Sequence, residues 1–201
     1  MINILIIGNG GHANSCIDVI EAEKKYKIFG IISNKQNDQS KKYPIIGTDN
    51  DLKKIVTDCE NVIIAFGSIK DPYLRINKYK MLKELGYRFP IIKSPHAYVS
   101  SSAKIGEGSI IMHHSMINSN SVIGKNCIIN SKSLIEHDVK IGDHVHISTS
   151  AVVNGSTQID DETFVGSNSV VGENVKIGKK CIISAGFFIN RNMDDGEIKK
   201  I

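Results

Sequence analysis

The 201-residue sequence contains no apolar run long enough to cross a bilayer, which takes about 20 consecutive apolar residues. Its opening, Met-Ile-Asn-Ile-Leu-Ile-Ile, lacks the basic n-region and small-residue cleavage site of a secretory signal, and so reads as the first strand of a cytoplasmic protein. There is no basic block and no basic patch interleaved with aromatics, and the net charge is only +4; nucleic acid is therefore not an expected partner. The four cysteines, Cys16, Cys59, Cys127 and Cys181, form no CxxC pair, the spacing that marks a thiolate or redox motif. What remains is ordinary for a soluble globular protein, with 41% hydrophobic and 23% charged residues. The length suits one large or two small domains.

What is present is a period. From Val99, reading in steps of six gives Val99, Ile105, Ile111, Ile117, Ile123, Ile129, Ile135, Ile141, Ile147, Val153, Ile159, Val165, Val171, Ile177, Ile183 and Ile189, all Ile or Val with no insertion. Four residues after each stands a small or β-branched one, from Ala103 and Ser109 through Cys127 and Val145 to Thr163 and Cys181. The residue just after the aliphatic one is often Gly, Asn or Asp (Gly106, Asn118, Gly124, Gly142, Asn154, Gly166), types that tolerate turn conformations. A period of six fits neither an amphipathic helix nor an alternating strand. It fits a solenoid of short β-segments in which each repeat buries an aliphatic row on the next. If a coil is three hexapeptides, Cys127 and Cys181 share a column three coils apart. At roughly 4.8 Å per strand that is too far for a disulfide, and they read as small core residues.

Residues 1–93 have a different grammar. Ile4–Ile7, Ile28–Ile32, Val62–Phe66 and Arg88–Ile92 read as strands. Helical patterns lie after Ala13, with Ile17, Val19 and Ile20 before the charged Glu21–Lys25, between Asn50 or Asp51 as cap and Val56, and from Asp71-Pro72 to Gly86. Ser33–Tyr43 is polar and loop-like. Alternating strands and helices predict a small, Rossmann-like parallel α/β domain. Lys93-Ser94-Pro95 is the hinge, 96–192 the solenoid and 193–201 a short tail. Ligands of open α/β sheets bind at the carboxyl ends of the strands, where Gly8-Asn9-Gly10-Gly11-His12-Ala13 lies just before a helix start suited to a phosphate. The same loop matches GxGxxA, yet Ile28–Asn34 lacks the acidic residue that a dinucleotide dehydrogenase needs.

Residues 18 apart stack on one face of a three-sided coil. One column is Ser119, His137, Gly155, Glu173; another is Thr149, Ser167, Ala185; a third is Ile128, His146, Phe164, Ile182. His137 therefore sits beside a glycine, with Asp138 next to it. A carboxylate on an imidazole fixes its tautomer and raises its basicity, as a general base at an acyl carbonyl requires. His96, His113, His114 and His144 read as surface or turn residues.

The run Asn130-Ser131-Lys132-Ser133-Leu134-Ile135-Glu136-His137-Asp138, with Gly142, His146, Ser148, Gly155 and the N-terminal glycine loop, resembles the NeuD/PglD-type sugar acetyltransferase family across nearly the whole chain. The resemblance implies a left-handed parallel β-helix and acetyl-CoA as co-substrate without a metal. It implies His137 as catalytic base with Asp138 as its partner, and His146, Gly155, Ser167 and Ala185 around acetyl-CoA. Gly10, Gly11, His12 and Ala13 would hold a sugar nucleotide, with Gly67 nearby and Ser33 and Asn34 standing where N-acetylating members carry an acidic pair. It further implies a homotrimer with sites between subunits, in surface-glycan biosynthesis, and N- rather than O-acetylation. Three other functions stay open: a sialic-acid O-acetyltransferase, a zinc enzyme of γ-carbonic-anhydrase type, and a non-enzymatic nucleotide-binding scaffold. A zinc site needs three converging ligands, and His113, His137 and His144 fall in different columns.

Overall fold

The computed structural model describes residues 1–34, 42–67 and 72–200. Strand β1 (Ile2–Ile7) pairs in parallel with β2 (Tyr26–Ile32) on one side and β4 (Val62–Ile64) on the other. A central strand covered on both faces explains why Ile4 to Ile7 is uninterrupted aliphatic. A short β3 (Ile45–Gly47) completes the order β3-β2-β1-β4. Helix α1 (Gly11–Glu23) buries Ala13, Cys16, Ile17 and Ile20, one stripe at helical spacing.

Three expectations change here. Asp51 stands at the N-cap position of the short helix, as expected, but its side chain makes no capping bond to that helix. Thr48 precedes a 3-10 turn, Asp49–Asp51, and its backbone N–H and hydroxyl both donate to the Asp51 carboxylate (2.8 and 3.0 Å) before α2 (Leu52–Ile55). Strand β4 stops at Ile64 rather than Phe66, because the carbonyls of Ile64 and Phe66 turn to a buried guanidinium, that of Arg75 in α3 (Tyr73–Glu84). Arg88–Ile92 is not a fourth strand of the sheet: Arg88 makes one isolated bridge to Asn61, while Ile92–Lys93 pairs with Ile110–Ile111. The solenoid thus begins before the hinge. Most of the loop expected over Ser33–Tyr43, and Asp71, lie outside the described residues.

From there the chain winds as a left-handed parallel β-helix whose two-residue strands stack into three sheets. The first runs from Ile92–Lys93 to Ile198–Lys199, the second from Tyr98–Val99 to Phe188–Ile189, the third from Lys104–Ile105 to Lys176–Ile177. Up to Ile189 each rung pairs with the rung 18 residues on, for example Leu134 with Val152, and the last pairings close at 16, as Ile182 with Ile198. The aliphatic row fills the interior, and from Ile111 to Ile189 none of it is more than 4% exposed. The small row is buried beside it, and its hydroxyls donate either to carbonyls of the following coil, as Ser121 to Glu136 and Thr157 to Gly172 (both 2.6 Å), or to a carbonyl three residues back, as Ser133 to Asn130 (2.7 Å). Buried hydroxyls are thereby satisfied without leaving the backbone. Residues 193–200, expected as a tail, wind on, since Met193 bridges Ile177 and Ile198–Lys199 pairs with Ile182–Ile183.

The corners differ from the sequence expectation. The left-handed residue is the third after each aliphatic one: His114, Asn120, Asn126, Lys132, Asp138, His144 and onward to Lys180, with φ between 52 and 63°. This conformation points each N–H along the solenoid axis, so Asp138 donates to the Ser119 carbonyl and Ser156 to that of His137, both at 3.0 Å. The glycines directly after the aliphatic row serve another purpose. A Cβ on Gly124 or Gly142 would lie 2.4 Å from the next coil. They are there for close approach.

The two parts share a core. Ile4, Ile6, Ala13 and Ile17 cluster with Ile92, Ile110, Met112 and Ile128 of the first solenoid sheet. Helix α3 grips a corner, with the Tyr79 hydroxyl donating to Glu107 (2.6 Å) and its ring 5.4 Å from that of His144. Among the described residues no helix is long and apolar enough to cross a membrane.

Candidate active site

His137 and Asp138 occupy the corner between the second and third sheets, in the column Ser119, His137, Gly155, Glu173. The left-handed backbone at Asp138 turns its carboxylate back onto the preceding residue, and the His137 Nδ1–Asp138 Oδ2 distance is 2.8 Å. Asn120, one coil below, donates to the other carboxylate oxygen at 3.2 Å. With Nδ1–H donating to Asp138, Nε2 carries the free lone pair. That hydrogen bond raises His137 above the ordinary imidazole range, and its reciprocal lowers Asp138. Half of each side chain is exposed, 55% and 51%, so a substrate can reach the ring.

The imidazole lies flat over Gly155: a Cβ there would sit 2.8 Å from His137 Cε1 and 2.9 Å from Nε2. No residue but glycine leaves the ring in this place.

The remaining residues expected near the acyl donor are not beside His137 in one chain. Ser167 and Ala185 lie on the neighbouring corner, between the first and second sheets, where Asn168 donates to Thr149 and Gly186 to Ser167 (3.0 and 2.9 Å). There the Ser148 and Ser167 hydroxyls meet at 2.9 Å. His146 is on the first sheet, 4% exposed, with its ring edge-on to Phe164 at 5.1 Å. What it faces is the N-terminal unit, since a Cβ on Gly67 would lie 3.8 Å from His146 Cε1. His113, His137 and His144 stand on three different corners, and among the described residues no group of three or more His, Cys, Asp or Glu side chains is placed to hold a metal. His113 instead bridges the two units, its Nε2 2.9 Å from Asp18 and its Nδ1 2.6 Å from the Ser94 hydroxyl.

In the glycine loop, Gly10 and Gly11 begin α1 with no side-chain cap and open space where a Cβ would be. The first N–H groups of a helix have no intrahelical partner, and here that of Ala13 turns to the Gly10 carbonyl at 3.0 Å. His12 is half-buried, and burial, seconded by Arg75, holds it down at about 4. Ala13 is fully buried and packs the helix rather than facing the loop's open side. Asn34 is tied to the turn after β3: its amide donates to the Asp49 carboxylate (2.9 Å) and its oxygen accepts the Asp49 N–H (3.1 Å). Ser33 donates its N–H to Gly47 at 3.1 Å. Two residues were missed by pattern alone. Asn120 could be found from the 18-residue column, whereas Arg75, a buried cation in a helix of mostly polar composition, leaves no signal in spacing.

Two family models match the chain, the PglD N-terminal domain over residues 3–82 and the GMPPB C-terminal domain over residues 93–190. Among curated proteins none matches. PerB from Caulobacter crescentus, in complex with CoA and GDP-perosamine, is 26% identical; the match covers 98% of this chain and 92% of that one, with a TM-score of 0.91. The acetyltransferase domain of PglB from Neisseria gonorrhoeae, in complex with acetyl coenzyme A, is 27% identical over 98% and 94%, also at 0.91. WeeI from Acinetobacter baumannii, at 22% identity and a TM-score of 0.87 over 98% and 96%, shares the fold. With a PglD-type N-terminal domain leading into a solenoid of this kind, the chain is similar along nearly its whole length to these acetyltransferases.

Proposed function

We propose that this protein transfers the acetyl group of acetyl-CoA directly to the amino group of a nucleotide-linked amino sugar, in the cytoplasm and for surface glycans, with His137 as general base. The single observation that carries this is the half-exposed imidazole over Gly155, oriented by Asp138 through Nδ1 so that Nε2 is left to act. His137 Nε2 takes a proton from the sugar amine as its nitrogen attacks the thioester carbonyl. The C–N bond forms, a backbone N–H near Gly155 meets the developing oxyanion, and the C–S bond breaks. The proton on His137 then passes to the departing CoA sulfur. No side chain forms an acyl-enzyme in this scheme. PerB, bound to CoA and GDP-perosamine, supports both the donor and an amino-sugar nucleotide as acceptor. Incubating the purified protein with acetyl-CoA and UDP-, GDP- or CMP-linked amino sugars, and following thiol release, tests this. Acetylation of a free sialic acid alone would move the assignment to O-acetylation.

We also infer a homotrimer. The second sheet presents an outward row of Tyr98, Met116, Leu134, Val152, Val170 and Phe188, whereas the third presents Lys104, Val122, Lys140, Gln158 and Lys176. Tyr98, Met116 and Phe188 are 56, 42 and 63% exposed. An uninterrupted apolar ribbon of this kind marks an interaction face. It is bounded by the His137 corner on one side and the Ser167–Ala185 corner on the other. Closing three ribbons around a three-fold axis sets one copy's His137 edge against the next copy's Ser167 edge, which assembles the acyl-donor groove from two chains. Met116→Glu should convert the trimer to monomer in light scattering and abolish turnover together; an active monomer would refute the shared site.

Asp138 sets the pH dependence. A base works unprotonated, so kcat/KM should rise as pH rises through the elevated His137 value. Asp138→Asn removes the negative charge that raises it. The acid limb of the profile should then move to lower pH, with kcat reduced by about tenfold, less than on losing the ring itself. An acid limb left in place would detach it from His137.

A further inference from the structure

Arg75 is the largest charged group the fold buries. It is 2% exposed, and it lies where three pieces meet: the end of β4, the glycine-loop helix and a solenoid corner. Its Nη1 donates to the carbonyls of Ile64 (2.5 Å) and Phe66 (3.0 Å), and its Nε to that of Asn126 (3.4 Å). Among the described residues no carboxylate pairs with it, and Nη2 is buried without a hydrogen-bond partner. The titratable groups that feel it are the Cys16 and Cys127 thiols, both held neutral by burial, and the imidazoles of His12 and His144, which it helps to keep uncharged. Carbonyl dipoles soften the cost of burying a guanidinium but leave its charge uncancelled. A fold that retains such a charge is suited to an anion arriving from outside.

The neighbours say where. The carbonyls that Arg75 grips flank Ala65, whose N–H bonds the Ile7 carbonyl at 2.7 Å. A Cβ on Gly8 would lie 3.1 Å from the Phe66 ring and 3.4 Å from the Ala65 backbone. Arg75 thus stands directly behind the floor of the Gly8–Ala13 loop, and its field reaches the loop at His12. In front of that floor are the uncapped N–H groups of α1 and the open space at Gly10 and Gly11.

Resting on the reading above, we propose that Arg75 is a positioning residue for the acceptor: it holds the floor of the glycine loop and supplies, from behind, the counter-charge for the diphosphate of the sugar nucleotide. It touches neither phosphate nor acetyl donor. In the low-dielectric interior its charge is little screened, so it acts through Ala65–Phe66 and through the potential at the loop. His12, held neutral beside it, offers the ligand a hydrogen bond instead of a competing charge.

Calorimetric titration of the full-length protein with GDP and UDP, together with separate KM values for sugar nucleotide and acetyl-CoA, tests this. Arg75→Met should weaken diphosphate binding and raise the sugar-nucleotide KM by about tenfold or more. The acetyl-CoA KM should stay within about twofold. Arg75→Lys, which keeps the charge but loses the fork, should fall between the two. Diphosphate affinity equal to wild type in Arg75→Met, or an equal loss for both substrates, would overturn the assignment as mere loosening. If Arg75→Met fails to fold, Arg75→Lys decides by the same split: a loss confined to the nucleotide supports the proposal, and no loss or an equal loss refutes it. Wild-type protein that binds neither GDP nor UDP and acetylates no sugar nucleotide would sink the functional reading and this proposal together. Wild-type binding matched by both variants would sink this proposal alone.

Discussion

Replacing His137 with alanine should lower kcat by about 10²–10⁴ while acetyl-CoA binding, the melting temperature and the oligomeric state stay near wild type. The side chain is more than half exposed and packs on no hydrophobic core, so its removal leaves no cavity. Its backbone carbonyl, which accepts the Ser156 N–H at 3.0 Å, is untouched by the change. What disappears is an imidazole whose Nδ1 is committed to an adjacent carboxylate at a corner bounding the apolar face. The measurement is steady-state turnover beside thermal unfolding and light scattering. Turnover close to wild type would remove His137 from the mechanism and with it the proposed direct transfer.

Gly155→Ala should be almost as damaging to kcat, by about 10²-fold, through a different cause. The added methyl carbon would lie 2.8 Å from His137 Cε1, well inside van der Waals contact. The atoms it meets are the far end of an exposed side chain, so the ring swings away and the backbone holds. Stability should therefore change by less than about 1 kcal/mol, while a small displacement of the base costs orders of magnitude in rate. Measured together, intact folding with collapsed turnover supports the geometry. An active Gly155→Ala enzyme would mean that the ring does not work from the position it occupies here.

The legible part of the fold was the part with a strict period. Sixteen aliphatic residues six apart leave one arrangement in which all of them are buried, so the coil, its 18-residue columns and the partnership of His137, Asp138 and Gly155 could be counted off. The corners were misplaced for a physical reason. Glycine after the aliphatic row suggested a turn, yet those glycines answer steric contact from the next coil, and the left-handed residue is Asn, Asp, Glu, His, Lys or Ser two positions later. A small residue looks the same in sequence whether it serves a dihedral angle or a close approach. Ile92–Lys93 and residues 193–200 were misjudged because rungs at the ends of a solenoid are defined by their partner 16 to 18 residues away, not by their own pattern.

Local pattern was enough for the repeat, for the apolar runs of β1 and β2 and for the placing of His137 beside Asp138 and Gly155, because each depends on residues whose spacing equals a structural period. Three-dimensional packing settled what spacing cannot encode: that His146 faces Gly67, and that Arg75 is buried behind the glycine loop. These relations join segments 50 or more residues apart, as Arg75 and Asn126 are, and they arise where the faces of two independently patterned units come to share one core.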